Sequence, residues 1–271
     1  VCEDILSCRF VSGQPQLSRT GTPVDVPGKN AHGPAMIALG VAARFAQYEP
    51  GRESTGIGIR LAHFILDRHV NLGASFPELQ PYDLVEYIDD AGRPYVDAEG
   101  RILSDPGHAL EFVGLYLWFS GHARRNGGST AEQLRELDRL DALMPAILER
   151  NFANGFRFDA GGICKSVHLL SRSPIDASMP WWSLSETIRS AVACWALDPD
   201  GANGAAALRV VAACHNAFVT YFVRPEVHCM AIQTRAADGS VIDSIPATPD
   251  ADPGYHTAMA LMDALNIIAR A

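Results

Sequence analysis

Long helical patterns dominate this sequence and restrict the architectures that it can adopt. In each of them, apolar residues recur at i, i+3 and i+4, which is the spacing of one helix face. Alanine and leucine fill most of these positions. Helices are predicted at roughly 31–48, 54–71, 106–125, 130–150, 184–197, 203–222 and 254–270. The sequence therefore predicts an all-α fold.

Short stretches between the helices carry turn signals typical of small β-hairpins. They place Asp-Gly, Glu-Gly or Ala-Gly among residues that tolerate extended structure, as in 89–103, 161–176 and 234–246. We expect these hairpins to lie together on one rim of the helical body. No low-complexity segment or Ser/Gly linker divides the sequence, which predicts a single domain over residues 1–271.

Composition argues against several classes of partner. The chain has 271 residues and a net charge of −9, and its 22 Lys and Arg residues are scattered, so no nucleic-acid surface is expected. No apolar run reaches the length of a bilayer span, and the N-terminus lacks a signal-peptide pattern. The six cysteines form no CxxC pair. We expect a cytoplasmic protein that binds a small neutral or anionic molecule, without membrane contact.

Histidines stand at the predicted start of three helices, and the clearest case is His108. Asp105 can cap this helix and Pro106 suits its first position. The positive end of the helix dipole disfavours an imidazolium, which would keep His108 available as a base. Glu111 lies on the same helix face and is expected to orient the ring.

The same setting recurs at His256, which follows Asp-Pro-Gly, and at His32, which follows Asn30 by two residues. We expect Asn30 to contact the substrate together with His32. A single histidine at such a position more often only caps its helix. Three of them become informative if the helices start at one end of a ring, because their imidazoles would then converge on one cavity.

Three stretches, taken in order, resemble the N-acylglucosamine 2-epimerase family, which includes cellobiose 2-epimerases and mannose isomerases. They are Gly107–Glu111 (GHALE), Trp181–Glu186 (WWSLSE) and Tyr255–Leu265 (YHTAMALMDAL). The resemblance implies an (α/α)6 barrel with short hairpins on one rim and a central sugar pocket. It implies catalytic roles for His108 and His256. It also implies that the pocket is lined by His32, Glu111, Trp182 and Glu186.

The sequence departs from the family pattern in three respects. Ala35 stands where the family usually has a glutamate after His32, and Ser183 and Leu184 replace a frequent Pro-His. Seven helical patterns are also too few for a barrel of twelve helices. We therefore expect this chain to hold the C-terminal portion of the barrel. A missing N-terminal segment or a partner chain would complete it and supply an arginine that contacts the sugar.

The chemistry of the candidate residues agrees with this resemblance. Moving a proton at the carbon beside an aldehyde requires a base, an acid and stabilisation of an enediolate. Two histidines can supply the acid and the base, as in a sugar epimerase or an aldose-ketose isomerase. Neither a HExxH motif nor a Cys/His cluster is present, and we expect no metal and no cofactor. The sequence leaves epimerisation and isomerisation as alternatives.

Two other functions are open at this point. A glycoside hydrolase would need a carboxylate pair, for which Glu78 and Asp83 in a Pro-rich loop are candidates. A catalytically silent sugar-binding protein is the second alternative.

Some candidate residues also have a purely structural interpretation. Ser183 and Glu186 match a capping box, and either tryptophan of the Trp-Trp pair could pack in the core instead of stacking on a sugar.

Overall fold

Helices make up most of the computed structural model, which describes residues 1–9, 28–73, 76–227, 231–242 and 255–271. The strands are short and pair in antiparallel fashion. The predicted all-α class with small hairpins is therefore confirmed. The helices are α1 (Cys2–Leu6), α2 (Gly33–Tyr48), α3 (Arg52–Arg68), α4 (Pro106–Arg125), α5 (Ala131–Asp141), α6 (Met144–Gly155), α7 (Trp182–Leu197), α8 (Ala202–Ala217) and α9 (Ala260–Ile268).

Two predicted helices differ from the observed ones in an informative way. The pattern over 130–150 forms two helices, α5 and α6, and Pro145 lies in the first turn of the second, where its missing N–H is not needed. The pattern near the C-terminus begins with a π-helical turn, Tyr255–Met259, before α9. Such turns occur frequently at functional sites, and this one carries His256.

The helices form an inner and an outer layer. In the inner layer α2 packs against α4, α4 against α7, and α7 against α9, while α3, α5, α6 and α8 pack outside them. Both α4 and α7 are buried on almost every side. Gly107 and Gly114 allow these two to approach closely, since a Cβ atom would lie 2.7 Å from the Trp182 ring in the first case and 2.5 Å from Ser190 Oγ in the second.

Short strands place the starts of three inner helices at one end of the molecule. β1, β3 and β8 each end two residues before α2, α4 and α7 begin, respectively. The pairs are β1–β2, β3–β6–β7, β4–β5 and β8–β9. The strands are β1 (Asn30–Ala31), β2 (Tyr87–Ile88), β3 (Leu103–Ser104), β4 (Phe156–Arg157), β5 (Gly162–Ile163), β6 (Ser166–His168), β7 (Ser173–Asp176), β8 (Met179–Pro180) and β9 (Thr234–Arg235).

Hairpins form at the predicted turns. Ile88 pairs with Pro94, and Val96 pairs with Ile102, across the first predicted stretch. β6 and β7 form the second hairpin. In the third, Arg235 pairs with Val241, and residues 243–246 of that stretch lie outside the described part.

A small second core beneath these strands contains Val85, Ile88, Ile102, Val167 and Leu169.

Two inner helices expose apolar faces. On α2 the exposed side chains are spaced as one helix stripe, and α9 has a similar set. Large exposed apolar patches are uncommon on soluble monomers and usually mark contact surfaces. The exposed residues are Ile37, Val41, Phe45 and Tyr48 on α2, and Met262, Leu265 and Ile268 on α9.

One described helical segment is long and apolar enough to cross a membrane by length and composition alone. It is Ala202–Phe222, which is α8 with the π-helical turn that follows it, and its mean hydropathy is 1.2. One face of α8 packs against α7 and α6. Core helices pass the same test, so the segment is weak evidence for a membrane span.

Candidate active site

A buried carboxylate, Glu86, joins two of the three predicted histidines. Its Oε1 accepts a hydrogen bond of 3.0 Å from His108 Nδ1, and its Oε2 accepts one of 3.2 Å from His32 Nε2. Glu86 directly precedes β2, and β2 pairs with β1, which leads into α2. This pairing brings a loop carboxylate to the starts of α2 and α4. We call His32, Glu86 and His108 the Glu86 cluster.

The electrostatics of His108 differ from the sequence-based expectation. Burial favours the neutral ring, but the charges of Asp105 and Glu86 outweigh it and raise the pKa of His108 to about 9. Burial likewise opposes ionisation of Glu86, yet the imidazoles hold its pKa well below its usual range. The expectation that the helix dipole keeps His108 neutral and basic was therefore wrong. The negative charge of two carboxylates is larger than the partial positive charge at the start of a helix, so the carboxylates determine the pKa of His108.

Asp105 has a double role at the start of α4. As predicted, it caps the helix, and it accepts hydrogen bonds from the backbone N–H groups of Gly107 and His108. Its other oxygen lies 3.4 Å from His108 Nδ1 and accepts a hydrogen bond of 2.5 Å from Lys165 Nζ. The cap therefore also fixes the charge state of the first histidine in the helix.

A second cluster surrounds His256. Its Nδ1 donates a hydrogen bond of 3.0 Å to Oε1 of Glu186 and lies 3.9 Å from Oε1 of Glu111. Arg189, one turn further along α7, binds the other oxygen of Glu186. Glu111 thus faces His256 and not His108, contrary to the expectation from helix spacing. We call Glu111, Glu186 and His256 the Glu186 cluster.

The two carboxylates of the Glu186 cluster are almost completely buried. Burial, followed by the charge of Glu186, raises the pKa of Glu111 to about 7. Glu111 can therefore exist in either protonation state near neutral pH. A carboxyl group that titrates in this range beside an imidazole is typical of sites that transfer protons.

Trp182 connects the two clusters. Its ring stacks on His108, with the ring centroids 5.4 Å apart, and contacts His256 at 5.3 Å. The ammonium group of Lys165 lies 5.3 Å from the same ring. Two imidazoles and a cation therefore converge around one indole, as expected from the prediction that the histidines share a rim.

The sequence allowed Trp181 to pack in the core and Ser183 to cap α7, and the structure gives a different answer for each residue. Trp181 is buried and its Nε1 donates a hydrogen bond to Thr257 Oγ1, so it belongs to the core. Ser183 Oγ donates to the carbonyl of Pro180 instead of capping α7, so the predicted capping box does not form. Glu186 is consequently free to serve the second cluster.

Asn30 does not join either cluster. Its side chain donates a hydrogen bond of 3.0 Å to Asp90 Oδ1 on the adjacent hairpin. The candidate carboxylate pair of a glycosidase is not formed either, because Glu78 is exposed while Asp83 is fully buried in an ion pair with Arg172. Asp83 thus has a structural role.

The histidines are accessible although their carboxylate partners are not. The side chain of His108 is 29% exposed and that of His256 is 17% exposed, against 5% for Glu86 and 0% for Glu186. Nε2 of His108 has no hydrogen-bond partner among the described residues. The cluster can therefore present a charged N–H group to a ligand.

Each cluster also offers three ligand atoms that lie within 4.8 Å of one another, which is a spacing that a metal ion could use. Two nitrogens with one carboxylate, or one nitrogen with two carboxylates, would suit a divalent ion. The sequence showed no metal motif because these residues come from separate elements. The prediction that catalysis needs no metal stays a prediction.

Four residues that position the site could not be assigned from sequence: Glu86, Asp105 as a charged neighbour of His108, Lys165 and Arg189. Glu86 and Lys165 lie in irregular segments beside strands, with no periodic pattern to link them to the histidines. The only sequence signal for Arg189 is its position three residues after Glu186, on the same face of α7.

Comparison with solved structures identifies the fold. Over 96% of its residues, the chain superimposes on cellobiose 2-epimerase from Bacillus thermoamylovorans with a TM-score of 0.64 and 16% sequence identity. The chain shares the fold of sugar epimerases. It also matches cellobiose 2-epimerase from Spirochaeta thermophila (97% of this chain, TM-score 0.63, 15% identity) and a D-mannose isomerase (92%, TM-score 0.62, 13% identity).

The chain spans only part of the length of these proteins. It covers 58% of the Bacillus enzyme and 57% of each of the other two. No protein-family model matches the sequence. No curated protein sequence matches it either. The fold therefore agrees with the expected family resemblance. Sequence identities of 13% to 16% show a shared fold and do not show a shared activity.

Proposed function

We propose that this protein is a sugar 2-epimerase or aldose-ketose isomerase that moves a proton at C2 of a mono- or disaccharide through an enediolate. The observation that carries the proposal is the pair of partly exposed histidines on Trp182, each held by its own buried carboxylate. The proposed scaffold is part of an (α/α)6 barrel, in keeping with the fold shared with sugar epimerases and isomerases.

His256 is the proposed base and His108 the proposed acid. When His256 removes the C2 proton, the C–H electron pair forms a C1–C2 double bond and the C1 oxygen gains negative charge. His108, with its pKa raised to about 9 by Asp105 and Glu86 against the effect of burial, is an imidazolium at neutral pH. It can donate a hydrogen bond to that oxygen or a proton to the enediolate.

The product depends on where the proton returns. Protonation of C2 from the opposite face gives the 2-epimer, whereas protonation of C1 gives a ketose. Glu111 can accept or supply a proton beside His256, because its own pKa is raised to about 7 by burial and by Glu186. His32 holds Glu86 in place, and Trp182 offers an apolar face on which a sugar ring can stack.

Further polypeptide is proposed to cover the exposed stripes of α2 and α9. Both stripes belong to inner helices, which in a closed barrel would have neighbours on each side. An additional segment or a partner chain could also supply a substrate-binding arginine. Among the described residues, Arg189 is the arginine bound to a cluster carboxylate.

Product analysis tests the proposed activity. Purified protein is incubated separately with mannose, glucose, N-acetylmannosamine and cellobiose, and the sugars are resolved by chromatography. The proposal expects a 2-epimer or a ketose of the same chain length from at least one of them. Release of glucose from cellobiose would identify a hydrolase instead, and sugar binding without any new product would identify a silent binding protein.

A further inference from the structure

A cavity lies along the inner helices, toward the ends of α2, α4 and α7 that are remote from His32 and His108. Its volume is about 830 Å³, and it is bounded by the C-terminal halves of α2, α4 and α7 and by the length of α9. Neither histidine of the proposed reaction lines it. Arginines are its most frequent charged residues: Arg44, Arg124, Arg125, Arg189 and Arg270. We call it the arginine cavity.

Three of these arginines have no carboxylate partner in the part of the chain that the structure describes. Among the described residues, no carboxylate oxygen lies within 4.0 Å of the guanidinium groups of Arg44, Arg125 or Arg270. Arg44 instead lies 4.7 Å over the ring of Trp118 and contacts Gln47 and Met259. In contrast, Arg124 is neutralised by Asp138 and Asp141.

Arg189 forms the inner wall of the cavity and is one of two buried, incompletely bonded groups among its described lining residues; the other is Asp263. Its side chain is 1% exposed, and one terminal nitrogen binds Glu186. Its Nε and Nη1 atoms have no hydrogen-bond partner among the described residues. A buried guanidinium with two unsatisfied donors is costly unless a ligand or water completes its hydrogen bonds.

The surroundings confirm an excess of positive charge. Burial, together with Arg125, Arg270 and Arg44, lowers the pKa of His122 to about 4. Among the described residues that line the cavity, the carboxylate left to oppose the arginines is Asp263, whose Oδ2 is buried without a hydrogen-bond partner and whose pKa is raised mainly by burial. The helix C-termini of α2, α4 and α7 contribute roughly half a negative charge each, which together is less than the three full charges of Arg44, Arg125 and Arg270.

We propose that the arginine cavity binds a small polyvalent oxyanion, a metabolite that carries phosphate or carboxylate groups. Guanidinium groups match both chemistries because each can donate two parallel hydrogen bonds to a pair of oxygens. The anion would lie between Arg44, Arg125 and Arg270 and complete the donors of Arg189. Since Arg189 also binds Glu186, such a ligand would share one guanidinium with the partner of His256.

Calorimetric titration with inorganic pyrophosphate and with citrate tests the site. The variants Arg44→Gln and Arg270→Gln each remove one cavity charge at an exposed position, so both should fold. Arg209→Gln is the matched control, because Arg209 is an exposed arginine of α8 outside the cavity. Each cavity variant is expected to weaken binding at least about tenfold, the effect of losing one charged hydrogen bond, with the control within about twofold of the wild type.

The two probes also identify the source of the anion. Binding of pyrophosphate alone would indicate a phosphorylated ligand, binding of citrate alone a polycarboxylate, and binding of both the shared oxyanion chemistry; each supports the proposal. Absence of binding by the wild-type protein would overturn it and would fit arginines neutralised by carboxylates outside the described residues. Equal weakening in Arg209→Gln would overturn it too, because the effect would then be one of net charge.

Discussion

Glu86 and His108 share a partly buried hydrogen bond of 3.0 Å at the start of α4, although 22 residues separate them in sequence. This hydrogen bond holds the His108 ring in place and also affects its protonation state. A carboxylate that is almost fully buried stabilises the charged form of an imidazole that is accessible to ligands. His108 thereby becomes a proton donor at neutral pH, and the proposed mechanism depends on that property.

Replacement of Glu86 by Gln should shift the alkaline limb of the pH-rate profile. His108 carries its proton below a pKa of about 9, to which Asp105 and Glu86 raise it against the effect of burial, so the wild-type rate should fall as pH rises through that value. The amide keeps a hydrogen-bond acceptor but removes the charge, which should lower the midpoint by roughly 1 to 2 pH units. The measurement is kcat/KM against pH.

Glu99→Gln is the control for this experiment, because Glu99 is an exposed hairpin carboxylate. Its alkaline midpoint should match that of the wild type. An unchanged midpoint in Glu86→Gln would show that His108 does not set the alkaline limb.

Replacement of His108 or His256 by Asn should nearly abolish turnover. Asn keeps size and polarity but cannot titrate, and a positioned acid or base contributes roughly 10² to 10⁴ in rate. His215→Asn, at an exposed position on α8, should leave the rate unchanged. A His108 or His256 variant that keeps more than about a tenth of the wild-type rate would refute the acid-base role of that residue.

Exhaustive chelation should leave activity intact. Although each cluster could hold an ion, the proposed steps use only imidazole and carboxyl groups. The protein is treated with a strong chelator, its metal content is measured, and the rate is compared with that of untreated protein. Lost activity that returns on addition of one equivalent of zinc would show that a cluster is a metal site.

The exposed stripe of α2 should affect self-association more than stability. Phe45→Ser is expected to change the free energy of unfolding by less than about 0.5 kcal/mol, since Phe45 is exposed, and to reduce association at high concentration. Leu39→Ala, on the buried face of the same helix, should cost about 2 to 5 kcal/mol. Similar losses for both variants in denaturant unfolding would mean that Phe45 is already covered in the isolated chain.

The parts of this fold that follow from local signals could be predicted from the sequence. The start of α4 is specified by Asp105 and Pro106, and the observed bounds match the prediction because capping and periodicity agree there. The division of 130–150 into α5 and α6 could not be read from periodicity, because both helices continue the same apolar pattern.

The site could be predicted only where helices specify it. His32, His108 and His256 stand at helix starts and do come together, whereas Glu86 reaches them through the pairing of β1 with β2, which no local pattern encodes. The partner of Glu111 was misassigned for a similar reason. Spacing on α4 places it near His108, but the approach of α7 and the π-helical turn brings His256 to it instead.

Deuterium transfer at C2 tests the central claim most directly. The protein is incubated in D2O with each of the four sugars, and the sugars are analysed by NMR for deuterium at C1 and C2, with His108→Asn and His256→Asn in parallel. We predict that solvent deuterium enters C2 of an epimer, or C1 or C2 of an aldose-ketose pair, and that neither variant supports exchange above about a tenth of the wild-type rate. Turnover of a sugar without any deuterium at these carbons would contradict proton transfer through an enediolate.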